Sequence, residues 1–113
     1  MKLSEAIIEG SKNTAQNTNG KFFGKNRKEC CVLGAAFLGA NLPKIRNNDE
    51  YQIVEQLEKA FSITYKKKAG PCPIKNCSFP QNLPLWWMMV HLNDFHKFTR
   101  KNIAEYVMTF EEE

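Results

Sequence analysis

The sequence predicts a mainly α-helical fold: one small domain of about five helices, with an embedded knuckle and room for a single short hairpin. Three observations predict it. Apolar residues recur at helical spacing through Ile53, Val54, Leu57, Ala60 and Phe61, and again through Ile103, Tyr106, Val107 and Phe110. The run from Cys30 to Ala40 is apolar nearly all round, which marks a central buried helix. Two cysteines, Cys72 and Cys77, precede two histidines, His91 and His96, at a spacing that small folds use to hold themselves together.

The elements follow in order. Ser4 suits the N-cap of a short first helix, Leu3 and Ile8 would staple its entry, and Gly10 would stop it. Residues 11–27 are rich in Asn, Thr, Gly and Lys and read as loop, anchored by Phe22 and Phe23. The second helix covers Glu29 to Ala40; Gly34, Ala35 and Ala36 leave little bulk on one side, so another helix can approach there, and Pro43 confirms the exit. Asp49 with Gln52 forms a capping-box variant opening the third helix. Ile63–Thr64–Tyr65 reads as a short strand that could pair around Ser78–Phe79. Leu83–Pro84 starts a helix running to about Leu92, apolar on every face, which Asn93–Asp94 breaks. Thr99 caps the last helix, and Glu111–Glu112–Glu113 reads as a solvated tail at the wrong end of that helix's dipole. The expected core is Leu33, Ala36, Phe37, Val54, Leu57, Phe61, Trp86, Met89, Val90, Ile103, Tyr106 and Val107.

Four residues separate Cys72 from Cys77, thirteen more precede His91, and four lie between His91 and His96. Zinc fingers of the Cys2His2 type use two to four residues, about twelve, then three to five. The chain contains no other histidine. Cys72, Cys77, His91 and His96 are therefore the candidate ligands of a structural zinc ion. Four protein ligands would leave no open coordination position, whereas catalytic zinc keeps one. On an ideal helix the two histidines point about 140° apart. They can share an ion only if the helix distorts or ends between them, and Asn93 and Asp94 are the residues expected to end it.

Composition bounds the function. At 113 residues, 42% hydrophobic and 25% charged, the chain reads as one domain, residues 1–113, able to bury a core but helped by a staple. No apolar run has signal-peptide or membrane-span length, and the adjacent Cys30 and Cys31 suit no shared bridge, so a reducing cytoplasm is the expectation. Sixteen basic against twelve acidic residues give a net charge of +4, a lean towards anionic partners.

A base-reading finger needs polar side chains on its helix, and Trp86, Trp87, Met88, Met89 and Val90 are the opposite. The last two helices also read as a helix-turn-helix pair, in which Lys97, Arg100 and Lys101 would take phosphate. Lys25, Arg27 and Lys28, next to Phe22 and Phe23, form a second basic segment able to bind a strand by charge and stacking. Cys30 and Cys31 read as small buried hydrophobes, since no histidine is left to act as their base. No Gly-rich phosphate loop, serine nucleophile elbow or carboxylate dyad stands out.

Two segments carry a resemblance. Cys31–Val32–Leu33–Gly34–Ala35–Ala36 resembles a C-A-L-G-A-A element, and His91–Leu92–Asn93–Asp94–Phe95–His96 through Arg100, Ile103, Ala104 and Tyr106–Val107 resembles H-L-N-D-x-H-x-W-[ST]-R-x-x-I-A-x-W-[VL]. With an intervening C-P-x-x-C pair, these elements mark small zinc-binding proteins of bacteriophages and prophages. The chain differs at Phe98 and Tyr106, where the pattern has tryptophan, and in its longer knuckle. The resemblance implies a phage setting and a host bacterial cytoplasm rather than an activity. The expected function is a non-enzymatic, zinc-stabilised binding protein acting on a protein partner, as a modulator of host or defence machinery, with no membrane and no small-molecule substrate. The alternative is a nucleic-acid binder using Lys97, Arg100, Lys101, Lys25, Arg27 and Lys28.

Overall fold

The apolar run within residues 30–40 forms a central helix against which most of the others pack. A computed structural model describes residues 1–24, 27–43 and 49–112. Its elements are α1 (Leu3–Ser11), β1 (Ala15–Gln16), β2 (Glu29–Cys30), α2 (Val32–Gly39), α3 (Glu50–Ala60), α4 (Ile63–Lys66), α5 (Leu85–Asp94) and α6 (Arg100–Glu111). Residues Val32 to Phe37 of α2 are all buried. Around them lie Leu3, Ala6 and Ile7 of α1, Ile53 and Leu57 of α3, Leu85, Met88, Met89 and Leu92 of α5, and Ile103, Ala104 and Val107 of α6. The fold is mainly helical, as the periodicity predicts.

The tightest contact is between α1 and α2, and it depends on two glycines. A Cβ on Gly10 would overlap the carbonyl of Ala35, and a Cβ on Gly39 would overlap the carbonyl of Ala6. Gly10 is therefore a contact point inside α1 rather than its stop. Gly34, expected to admit a helix, instead admits the loop: its missing Cβ leaves room for the carbonyl of Phe22. Phe22 and Phe23 are buried, as their place in a polar segment predicts.

Several local expectations change for identifiable reasons. Ser4 lies inside α1 and does not cap it. Its backbone N–H donates to a Glu111 carboxylate oxygen at 3.0 Å, and its hydroxyl donates to the other. Glu111 thus stands at the wrong end of its own helix but at the positive end of α1, where a carboxylate is favourable. Ile8 is 40% exposed, so no staple with Leu3 forms. Ile63–Thr64–Tyr65 is helical because Thr64 buries its hydroxyl against the Phe61 carbonyl at 2.7 Å, which a strand would not allow. The expected hairpin with Ser78–Phe79 is absent among the described residues. In its place Lys68 and Pro84 form an isolated antiparallel bridge that closes the base of the knuckle. The strands that do form are β1 and β2, parallel, with Ala15 opposite Glu29 and Gln16 opposite Cys30.

Two caps agree with the sequence. The Asp49 side chain accepts from the backbone N–H groups of Tyr51 and Gln52, and the Thr99 hydroxyl accepts from that of Asn102 at 3.0 Å. Of the expected core, Val54, Trp86, Val90 and Tyr106 are only partly buried, and Trp87 is 46% exposed.

The α1–α2 contact predicts a sign reversal. Gly→Ala inside an ordinary helix stabilises by up to about 1 kcal/mol. Gly10→Ala and Gly39→Ala should each destabilise by about 3 kcal/mol, because backbone atoms must move apart. Urea unfolding midpoints check this.

Candidate metal centre

The knuckle spans Ala69 to Leu83 between the pairing at its base and two sharp turns. Gly70 and Asn76 take left-handed backbone (φ +74° and +66°), and the Cys77 N–H donates to the Ile74 carbonyl at 3.2 Å. These turns aim Cys72 and Cys77 at the end of α5. His91 projects from the last turn of that helix. His96 lies just past it: Phe95 is the C-cap, and Lys97 reverses the chain at φ +56°. The helix does end between the two histidines, as a shared ion requires. The break falls at Phe95, though, and Asn93 and Asp94 are still helical.

One ligand atom from each of Cys72, Cys77, His91 and His96 lies within 4.8 Å of all the others. Cys72 Sγ is 3.4 Å from His96 Nε2, and Cys77 Sγ is 3.4 Å from His91 Nε2. With metal–sulfur and metal–nitrogen bonds of about 2.3 and 2.1 Å, the S···N edge of a regular tetrahedron is about 3.6 Å. The two S···N contacts are close to that edge, and the four side chains can hold a metal ion. Two thiolates and two imidazoles are a borderline-soft set, and all four side chains are half-buried.

Aromatic rings surround the site. Phe79 stacks on His91 with centroids 3.9 Å apart, and Phe95 lies nearly parallel to His91 at 5.3 Å. These contacts fix the plane of one imidazole, and sequence spacing gave no sign of Phe79 or Phe95 in that role. Burial holds His91 below its ordinary pKa, with His96 adding to the effect, so His91 is neutral and ready to ligate near neutral pH. Burial pushes the Cys72 thiol up, with the neighbouring Cys77 thiol opposing its ionisation.

Asn93, between the two histidines, is fully buried and makes four hydrogen bonds. Its Oδ1 accepts from the Val32 N–H at 3.1 Å and Gln16 Nε2 at 3.0 Å; its Nδ2 donates to the Asn17 carbonyl at 2.8 Å and to Asp94 at 2.7 Å. It thus satisfies an orphan donor at the start of α2.

The basic residues of the nucleic-acid reading fare differently. Arg100 is buried, and its guanidinium donates to the Thr14 hydroxyl at 2.7 Å, the Thr14 carbonyl at 2.6 Å and Cys30 Sγ at 3.3 Å. An anion outside the fold has no access to it, which corrects its reading as a phosphate ligand. Lys97, Lys101 and Lys28 are exposed, and Lys97 donates to the Thr18 carbonyl at 3.3 Å. Arg27 lies over the Phe23 ring at 4.6 Å. Lys25 falls outside the described residues. Cys30 and Cys31 are buried; burial pushes the Cys31 thiol up to about 12, as inert packing requires, whereas the Cys30 sulfur is a polar partner of Arg100 rather than a plain hydrophobe. No helix among the described residues is long and apolar enough to cross a membrane. No family model, curated protein or solved structure matches the chain.

Two outcomes are expected. Cys72→Ser should abolish metal retention and lower the thermal midpoint, because metal binding and folding are coupled; elemental analysis and calorimetry measure these. Metal affinity should also fall with acidity. Protons compete at His91 only below its ordinary range, and the raised Cys72 pKa extends the competition through neutrality, so affinity should still be rising above about pH 7. Chelator competition across this range measures it.

Proposed function

We propose that this protein is a non-enzymatic binding protein acting on a protein partner, with one zinc ion on Cys72, Cys77, His91 and His96 as its structural staple. The observation that carries the reading is the convergence of four protein donors on one point. Four donors saturate a tetrahedral ion, leaving no position at which water or substrate could be activated. Catalysis at this centre would require a ligand to leave.

A protein partner is supported by large apolar side chains that the fold leaves in water. Tyr51 is 82% exposed and Phe95 70%. Aromatic residues are enriched at protein interfaces, where they supply contact area at small entropic cost. Together with the resemblance to phage and prophage proteins, this extends the proposal to a phage-encoded modulator of host machinery in the bacterial cytoplasm.

Affinity capture from bacterial lysate, with and without nuclease, tests the proposal. The expected result is a protein partner retained after nuclease treatment and lost from Cys72→Ser. Binding to bare duplex or single strands that weakens steeply with salt would overturn it in favour of a nucleic-acid binder.

A further inference from the structure

Three of the four partly buried residues of the expected core lie together, and only Tyr106 is elsewhere. Val54 of α3 and Trp86 and Val90 of α5, with Phe22 of the loop, form the floor of one open groove of about 600 Å³. Trp86 and Trp87 stack there at 5.4 Å, nearly parallel. The wall contributed by α3 is acidic: Glu50, Glu55 and Glu58 all line the groove, and among the described residues no lysine, arginine or histidine lines it. In a chain of net charge +4, this face therefore runs against the overall balance.

The Glu55 carboxylate has a lysine partner, Lys59, at 3.5 Å, but that pair is well exposed and weak. Glu50 and Glu58 stand eight residues apart, about 12 Å along the helix axis. One small cation cannot reach both. The complementary ligand must carry cations spaced over about two helical turns and, between them, apolar side chains for the tryptophan floor.

We infer that the groove between α3 and α5 binds a basic amphipathic segment of the partner protein, its apolar stripe on Trp86, Trp87 and Val54 and its lysines or arginines against Glu50, Glu55 and Glu58. The inference rests on the protein-partner reading and names the chemistry of that partner. Cations over the indole faces add to the attraction. The basic loop residues Lys28 and Lys97 take no part in this interface.

Trp86 and Trp87 are the only tryptophans in the chain, so its indole fluorescence reports on this groove. The metal-loaded full chain is titrated with a synthetic amphipathic helical peptide of leucine and lysine. Two controls accompany it: the same composition scrambled to remove the apolar stripe, and the counterpart with glutamate for lysine. Saturable change is expected with the first peptide, and affinity about tenfold weaker or less with each control. The combined variant Glu50→Gln, Glu55→Gln, Glu58→Gln should bind the first peptide about tenfold more weakly, since three exposed pairs are lost. Its helical circular dichroism and metal content should be unchanged. Trp87→Ala gives a second loss at an exposed position.

Equal binding of lysine and glutamate peptides, full binding by the triple variant, or concentration-dependent self-association that buries the tryptophans would each overturn the inference. The two proposals fail separately. A lysate partner that the triple variant still captures leaves the protein-partner reading intact and removes this one. A groove that binds the lysine peptide while lysate yields only nucleic acid does the reverse.

Discussion

The end of α5, and with it the position of His96, is held by a buried polar layer in which every partner is specific. Asn93 joins α5 to the start of α2 and to the segment at Asn17. Gln16 binds Asn93, the Phe98 carbonyl at 2.6 Å and the Arg100 N–H at 3.2 Å. The Arg100 guanidinium crosses from α6 to Thr14 and Cys30, beside the paired strands. A buried donor or acceptor left without its partner costs about 1–3 kcal/mol. Removing one side chain here would orphan several others, so the layer holds one arrangement of α2, α5 and α6 far more tightly than apolar contact would. Asn17 Nδ2 is the exception among the described residues, buried with no partner. The two-residue strands matter for the same reason. They are too short to stabilise anything alone, but they set out Thr14, Ala15 and Gln16 where the layer needs them.

What the sequence makes legible is what depends on short-range chemistry. Asp49 and Thr99 announce their helices because a side-chain oxygen and a backbone N–H two or three residues away suffice. The metal centre is readable because its donors come as two local pairs, and only the pairing of pairs is long-range. Ser4 and Glu111 misled for the opposite reason. Each looks like a local feature, a cap and a tail, but each completes the other across 107 residues. Arg100 looked like surface because arginine usually is, and nothing within a few residues of it reveals the Thr14 carbonyl. Ile63–Thr64–Tyr65 has strand-like composition, and one buried hydroxyl overrides it. The run Leu85–Val90 is apolar on every face, but a helix at the edge of a small domain has too few neighbours to cover all of it, and Trp87 stays exposed.

The centre and the polar layer divide the work of holding the last third of the chain. Residues 69–83 contribute almost no side chains to the core beyond Ala69, with Cys72 and Phe79 packed at its margin. That segment keeps its shape through turns and the bridge at its base, and its cysteines can hold a metal ion together with the two histidines. Without the ion, two thiols and two imidazoles remain as modest hydrogen-bonding contacts, and the knuckle is the first part expected to open. The polar layer on the other side of His91 would stay. Metal loss should therefore loosen the knuckle ahead of the helical core.

The carboxylate of Glu111 on the amino end of α1 has a consequence for how the chain acquires its structure on the ribosome. Helix α1 is made first and α6 last, and α1 packs against both α2 and α6. Until α6 has cleared the exit tunnel, the Ser4 N–H lacks its carboxylate partner and part of the apolar face of α1 has no cover. A loop of this span is entropically costly to close, and early apolar contacts must hold the chain until it does. The close seat on α2 that Gly10 and Gly39 allow is the most extensive helix contact of α1 among the described residues, and it is available in that interval. Vectorial synthesis thus gives these glycines a second task, keeping the leading helix from misassembling before its final partner arrives.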